Sequence, residues 1–244
     1  MMQGPASARP PFARAAMLLM PSPVNLKGVI FDIDGTLIDS NDIHCDAWLE
    51  AFEHFGKTIE RDVMRHQIGK GGDLLVPDLL NGREMQRFGK KLQDYRGEIF
   101  RKKYMQRVKP FPGMKRWLGQ LVDAGVKLAV ASSAKPDEVE YYTGLLDIDD
   151  LLSGSTSTGD ATISKPSPEI FQAALERIDT DPRRTLVVGD TPYDILAGHR
   201  AALPVAAVLS GGFERELLTK AEFLFADVEE MMEKIQVVED YFNE

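Results

Sequence analysis

The chain carries one cysteine, Cys45, in 244 residues. A single thiol excludes an internal disulfide framework and any metal site built on several cysteines. It also agrees with a reducing compartment, so a cytoplasmic location is expected. No apolar run approaches the roughly 18–20 residues that a membrane-crossing helix needs. Basic charge is in deficit: 29 Lys and Arg stand against 38 Asp and Glu, a formal net charge of −9. That balance argues against non-specific binding to nucleic acid or to an anionic membrane surface. No internal repeat is found, and no low-complexity run beyond the N-terminus. With 43% hydrophobic and 27% charged residues, the composition is that of an ordinary globular chain. Its length suffices for a sizeable core in one large domain or two smaller ones.

Residues 1–25 combine several prolines with Arg9, Arg14 and the short apolar run Ala15–Met20. Pro21 and Pro23 interrupt that run, and no small-residue cleavage site follows, so a secretory signal is not expected. The stretch reads as a disordered extension, or as an upstream start with Met17 or Met20 as the true beginning. From Lys27 to Ile33 the residues are those of a buried strand. Asp39-Ser40-Asn41-Asp42 then offers several N-cap candidates. The helix behind them places Ile43, Ala47, Trp48, Ala51 and Phe52 on one face and stops near Gly56. Residues 59–67, 73–80 and 83–108 read as helices, separated by Ile68-Gly69-Lys70-Gly71-Gly72 and by Asn81-Gly82. Pro110-Phe111-Pro112-Gly113 is a hinge signal.

Beyond it helices and strands alternate. Helices are expected over Met114–Ala124, Pro136–Leu146, Ser167–Arg177, Tyr193–Ala202 and Val228–Val237. Strands are expected at Lys127–Ala131, Leu151–Ser153, Thr185–Val188, Val205–Leu209 and Ala221–Phe225. Strands separated by helices of this length mean βαβ units, hence a parallel sheet covered on both faces. The expected organisation is an α/β core of residues 26–42 and 110–244. A helical insert of about 65 residues, 43–109, has the size of a small domain or lid rather than a loop.

The strands end in polar residues, at the edge where open α/β sheets bind ligands. The first ends in Asp32 and Asp34, which strand periodicity puts on the same side. Two carboxylates so placed repel unless a cation or a shared proton intervenes. Ser132 and Ser133 follow the second such strand, and Asp190 and later Asp194 follow another. Lys165 stands between them, ahead of a helix. Several carboxylates, a hydroxyl, an ammonium and a helix N-terminus suit a magnesium-dependent phosphoryl-transfer site. Taken singly, several of these residues have plainer readings. Ser132 could be a helix N-cap, with Pro136 just beyond it, and Asp194 could cap the next helix. Lys165 could be a surface lysine, His44 a packed helix residue and Trp48 core. The Gly-rich turn around Lys70 needs no substrate to explain it, and Cys45 reads as structural.

In order, Asp32-Ile33-Asp34-Gly35-Thr36, Ser132, Lys165 and Gly189-Asp190-Thr191-Pro192-Tyr193-Asp194 resemble the four motifs of the haloacid dehalogenase-like hydrolase superfamily. The insert sits where members with a helical type-1 cap carry theirs. The resemblance implies a Rossmann-like core in which Asp32 is the nucleophile and becomes a transient aspartyl-phosphate. Asp34 would be the acid/base, and Ser132, Ser133 and Thr36 would help hold the phosphate. Lys165 would neutralise charge. Mg²⁺ would be held by the Asp32 carboxylate, the Asp34 backbone carbonyl and Asp190, with Asp194 a direct or indirect ligand. The insert's Lys70, Gly71 and His44 would meet the rest of the substrate, with Lys70 placed to meet a second anionic group. An aspartate at position 34 matches the phosphatase and phosphomutase branches. The spacing from Asp32 to His44 also resembles the β-phosphoglucomutase branch, but Gly189-Asp190 in place of that enzyme's Glu-Asp favours a phosphatase. The expected activity is therefore Mg²⁺-dependent hydrolysis of a small phosphorylated metabolite, such as a sugar phosphate, by a monomer or homodimer. A β-phosphoglucomutase-like mutase is the alternative. A non-catalytic phosphate-binding regulator is the reading from a different class.

Overall fold

A strand buried on both faces needs apolar side chains in both directions, and Gly28–Phe31 (β1) supplies them. In the computed structural model, which describes residues 25–243, β1 lies at the centre of a six-stranded sheet. Its neighbours are β4 (Lys127–Ala131) and β6 (Thr185–Gly189). Outside them lie β5 (Leu152–Thr156) on one side, and β7 (Val205–Val208) and β8 (Phe223–Phe225) on the other. The order is β5-β4-β1-β6-β7-β8 and every pairing is parallel. The extension and later start read into residues 1–24 lie outside the described residues.

Strand alternation divides the core into two layers. Val29, Phe31, Leu128, Val130, Leu186 and Val188 face one cluster, with α5 (Met114–Asp123), α6 (Pro136–Leu146) and α9 (Val228–Glu233) packed on them. Ile30, Ala129, Ala131, Val187 and Val205 face the other, under α7 (Glu169–Ile178) and α8 (Pro192–Arg200). The result is the expected α/β, Rossmann-like sandwich of helix, sheet and helix. Because the chain leaves β1 between β4 and β6, the carboxyl end of β1 opens on the crevice where the sheet's connections diverge.

A third apolar cluster belongs to the inserted helices. In α1 (Asn41–His54), Cys45, Trp48 and Phe52 point into it. They meet Met64 of α2 (Arg61–Arg65), Leu75 and Val76 of α3 (Gly72–Leu79), and Leu92 of α4 (Lys90–Ile99). Cys45 is fully buried there, as a structural thiol should be. Alpha-helix is interrupted by π-helical turns at Met85–Gly89 and Phe100–Tyr104. The two ends of the insert are joined by a feature the sequence did not announce. Two-residue strands β2 (Ile38–Asp39) and β3 (Lys109–Pro110) pair antiparallel, Ile38 opposite Pro110 and Asp39 opposite Lys109.

Several boundaries move. β1 stops at Phe31, so Asp32 and Asp34 sit in the turn beyond it rather than on the strand. α7 begins at Glu169 instead of Ser167, which leaves Lys165 in the preceding loop. The closing helix is two helices, Val228–Glu233 and α10 (Ile235–Tyr241), because Lys234 leaves helical geometry at φ −106° and ψ 22°.

Candidate active site

The Asp32 amide continues the β1–β6 ladder by donating to the Val188 carbonyl at 2.8 Å. This fixes where the Asp32 carboxylate emerges. Ile33 then turns the chain, its carbonyl accepting from the amides of Thr36, Leu37 and Ile38. The turn needs glycine at position 35. Its φ is +76°, and a Cβ there would run into Asn41 and Asp190.

Asp32, Asp190 and Asp194 converge, with carboxylate oxygens within 4.8 Å of one another and all three buried. Lys165 is buried beside them, donating to Asp32 and lying 2.8 Å from Asp194 Oδ1. Asp194 meets the plainer of its two readings, the helix cap, and also faces Lys165. Its Oδ2 caps α8 by accepting from the Thr191 amide at 3.0 Å and hydroxyl at 2.6 Å, while Oδ1 faces Lys165. Asp190 is held by Asn41 Nδ2 at 2.7 Å and by the Thr36 hydroxyl at 3.3 Å. Thr36 is therefore corrected from a substrate-binding to a positioning residue: the turn aims its hydroxyl at Asp190, and it does not line the cavity.

Charge is badly balanced in this group. Burial, with added repulsion from Asp194 and Asp34, pushes Asp32 from 3.8 up to about 7 despite the Lys165 ammonium. Burial and the charges of Asp194 and Asp32 raise Asp190 well above the usual carboxylate range. Lys165 is raised in turn: burial opposes its charge, but Asp194 and Asp32 outweigh that. One ammonium faces three buried carboxylates. A hard divalent cation fits such a set of oxygen donors. Asp34, expected to contribute through its backbone, keeps its carboxylate out of this trio.

A stability test follows from the Asp32 shift. A folded-state pKa above the unfolded 3.8 gives stability that is present below 3.8 and lost as pH rises through about 7. Metal-free protein should therefore melt at a lower temperature at pH 8 than at pH 5.5. Millimolar Mg²⁺ should raise the melting temperature more at pH 8, because the ion competes with protons for the same oxygens. A Mg²⁺ effect equal at both pH values, read by thermal unfolding with and without chelator, would count against metal binding here.

Asp34 is managed differently. Its Oδ1 accepts from Ser40 Oγ at 2.6 Å and from His44 Nε2 at 2.8 Å. Burial raises its pKa, but His44, Ser40 and the charge of Arg96 outweigh burial and hold it below the ordinary value. Arg96 is bonded to His44 Nδ1. A guanidinium can only donate, so Nδ1 accepts, and the remaining proton is on Nε2, directed at Asp34. The His44 ring stacks on Phe100 at 4.4 Å, and the Tyr142 hydroxyl lies 3.2 Å from Nε2.

Ser132 is buried and lines the same cavity as Asp32, Asp34, His44 and Lys165. It is not a helix cap; Lys135 occupies that position of α6. Its Oγ accepts from the Ala134 amide and stands 3.5 Å from Asp34 Oδ2. Ser133 also lines the cavity, with a buried hydroxyl that has no partner. Lys70 and Gly71 form part of the opposite wall. The Lys70 ammonium donates to Gln67 at 2.7 Å and Asp78 at 2.6 Å and lies 4.9 Å above the Tyr193 ring.

Arg96, Glu138 and Tyr142 are site residues that sequence reasoning missed. Nothing in their spacing from the aspartates marks them, since they come from α4 and α6 and only in the fold do Arg96 and Tyr142 meet His44 and Glu138 face Arg96. The sequence marks Asn41 only as a helix-cap candidate, and its distance of nine residues from Asp32 gives no further sign. The cavity measures about 70 Å³, against roughly 300 Å³ at the low end for ligand pockets. His44, Trp48, residues 68–72 and Arg96 form one side of it, and Asp73 ties that side to the Lys165 loop by accepting from the Ser164 hydroxyl at 2.6 Å and amide at 3.1 Å. Tyr193 adds a bond from its hydroxyl to the His66 carbonyl at 2.5 Å.

A buried carboxylate of raised pKa, a second carboxylate paired with a histidine, and a buried lysine thus occupy one crevice. The family profile of haloacid dehalogenase-like hydrolases matches residues 29–208. The chain belongs to the haloacid dehalogenase-like hydrolases. It is 31% identical over 194 residues to the phosphoglycolate phosphatase of Aquifex aeolicus, covering 76% of this chain and 86% of that one. To the pyrophosphatase PpaX of Oceanobacillus iheyensis it is 28% identical over 185 residues, 76% of this chain and 84% of the other. A hydrolase from Pseudomonas syringae shares the fold, with a TM-score of 0.77 at 24% identity over 87% of this chain and 99% of its own. Among the described residues of this family member, no helix is long and apolar enough to cross a membrane.

Proposed function

We propose that the protein is a phosphatase that hydrolyses a small phosphate monoester through an aspartyl-phosphate on Asp32. The observation that carries this reading is the pairing of two differently tuned aspartates in one cavity, Asp32 against Lys165 and Asp34 against His44. Asp32 attacks phosphorus in line and the bond to the leaving oxygen breaks. Asp34 delivers a proton to that oxygen, then takes one from the water that attacks the acyl phosphate, releasing inorganic phosphate and free Asp32. Asp34 starts ionised in the empty site. A phosphate dianion beside it raises its proton affinity by like-charge repulsion, which loads it for the first step. Lys165 and the Ser132 and Ser133 hydroxyls offset and orient the phosphate charge.

Mg²⁺ would be held by Asp32, Asp190 and Asp194, with the Asp34 backbone carbonyl as the resemblance implies, and when bound would neutralise negative charge on the phosphate and nucleophile. Thr36 and Asn41 keep Asp190 in place for it. Residues 43–109 would act as a cap over a core of 26–42 and 110–244, moving to admit substrate to a cavity too small in its closed state. The substrate we favour is a sugar phosphate or similar organic monoester, since the cavity wall combines Trp48 with the polar side chains Arg96 and Glu138.

The test is phosphate release across a panel of phosphate monoesters, with Mg²⁺ and with chelator. Metal-dependent release of inorganic phosphate is expected. Conversion of a hexose monophosphate to its isomer without free phosphate would replace this reading with the mutase, and tight binding without turnover would replace it with a regulator.

A further inference from the structure

Beyond the aspartates, the cavity wall holds a second charged pair that the phosphate chemistry does not use. Glu138 of α6 lines the cavity with its side chain only 1% exposed, facing Arg96 of the inserted helix α4 at 3.6 Å. That separation is too long for a hydrogen bond, and Glu138 Oε1 and Arg96 Nε both lack hydrogen-bond partners. Unmet donors and acceptors at such depth are costly unless a ligand supplies the missing bonds. Ser133 Oγ, also unpartnered, stands on the same wall.

We infer that Glu138, paired with Arg96, selects substrates whose leaving group is neutral and hydroxylated and rejects those carrying a second anionic group. The inference rests on the phosphatase reading for the position of the phosphate and deepens it. A hydroxyl both donates and accepts, so it satisfies Glu138 Oε1 and Arg96 Nε together. A carboxylate or second phosphate in the same place only accepts. It would leave Glu138 unsatisfied and set a like charge beside it where water does not screen. The other cations on the wall are already neutralised: Arg96 faces Glu138 and bonds His44, and Lys70 is held by Asp78 and Gln67. Trp48, whose ring Arg96 covers at 5.0 Å, completes a wall suited to a polyol. Selectivity here thus comes from a repulsive element as much as an attractive one.

The experiment compares glucose 6-phosphate with phosphoglycolate and pyrophosphate on wild type, Glu138→Gln and Glu138→Asp. Wild type should favour the sugar phosphate in kcat/KM by at least about tenfold, and Glu138→Gln should narrow that ratio by about tenfold. The narrowing should come mainly from a lower KM for the anionic leaving groups, with Glu138→Asp restoring the wild-type order. Wild type preferring pyrophosphate or phosphoglycolate would overturn the inference, as would an unchanged ratio in a folded Glu138→Gln protein. Should Glu138→Gln fail to fold, the wild-type ranking still decides. If no ester releases phosphate, it is the phosphatase reading that fails. Calorimetric binding of the same three compounds to Asp32→Asn protein then decides selectivity: preference for glucose 6-phosphate upholds it, and equal or reversed affinity overturns it.

Discussion

An Asp32→Asn protein will release phosphate at least about 10⁴-fold more slowly than wild type, the usual scale for loss of a covalent nucleophile. It will nevertheless fold, and in metal-free buffer at pH 8 it should melt at a higher temperature than wild type. The two halves have one cause. Asp32 is buried among Asp34, Asp190 and Asp194, and its carboxyl pKa near 7 means that the fold disfavours its charge at pH 8 even with Lys165 in contact. The amide keeps the shape and an acceptor for Lys165 while removing that charge, so stability is recovered as catalysis is lost. Mg²⁺ should stabilise the variant less than wild type, because one of three carboxylates is gone. Phosphate release and thermal unfolding with and without Mg²⁺ measure all three effects. Turnover near the wild-type rate would remove Asp32 from the chemistry, and a lower metal-free melting temperature would show that its charge is welcome in the fold.

What could be read from the sequence tracks how each residue is constrained. Strands buried on both faces appear as unbroken apolar runs, so β1, β4, β6 and β7 were legible, and so were the polar residues at their carboxyl ends. Those residues converge because parallel strands deliver their ends to one edge: Asp32, Ser132 and Asp190 had to meet there. The failures share a different origin. Thr36 looks like a phosphate ligand beside Asp34, yet the turn around Gly35 sends its hydroxyl to Asp190. The partner of Lys70, Asp78, lies on the far side of a helix start, a contact that spacing does not show. The helices between β2 and β3 were legible through the spacing of their apolar residues. Periodicity says which helix face is buried, but not which polar residue is carried into the seam with it. Arg96 and Glu138 are of that kind, from helices more than forty positions apart that meet across the cavity. The β2–β3 ribbon was hidden for a related reason: two residues per strand give no alternation to detect.

Replacing Lys165 should produce the largest loss of stability available at this site. Methionine is close to lysine in length and can rest against Phe171, whose ring the ammonium overlies at 5.2 Å, so Lys165→Met isolates the charge from the packing. Without it, Asp32, Asp190 and Asp194 share a buried space with no internal cation. Removing one side of a buried ion pair costs about 3–5 kcal/mol because the other side stays buried and uncompensated. The sign of the pH dependence separates this cause from lost packing. Asp32 and Asp190 already have raised pKa values, and without the ammonium beside them they rise further. Their protonated forms are tolerated in the fold, so the variant should be close to wild type at pH 5.5 and fall away from it as pH rises to 8. Millimolar Mg²⁺ should return part of that loss at pH 8 by supplying the missing positive charge. Phosphate release should still drop by about 10²–10³-fold with the metal present, since the ion cannot also stand where the ammonium offsets the charge of the attacking carboxylate. Thermal unfolding at the two pH values, each with chelator and with Mg²⁺, is the measurement. An equal loss at pH 5.5 and pH 8, untouched by Mg²⁺, would mean that Lys165 serves the fold through its carbon chain and that the acidic trio is balanced by something other than its ammonium.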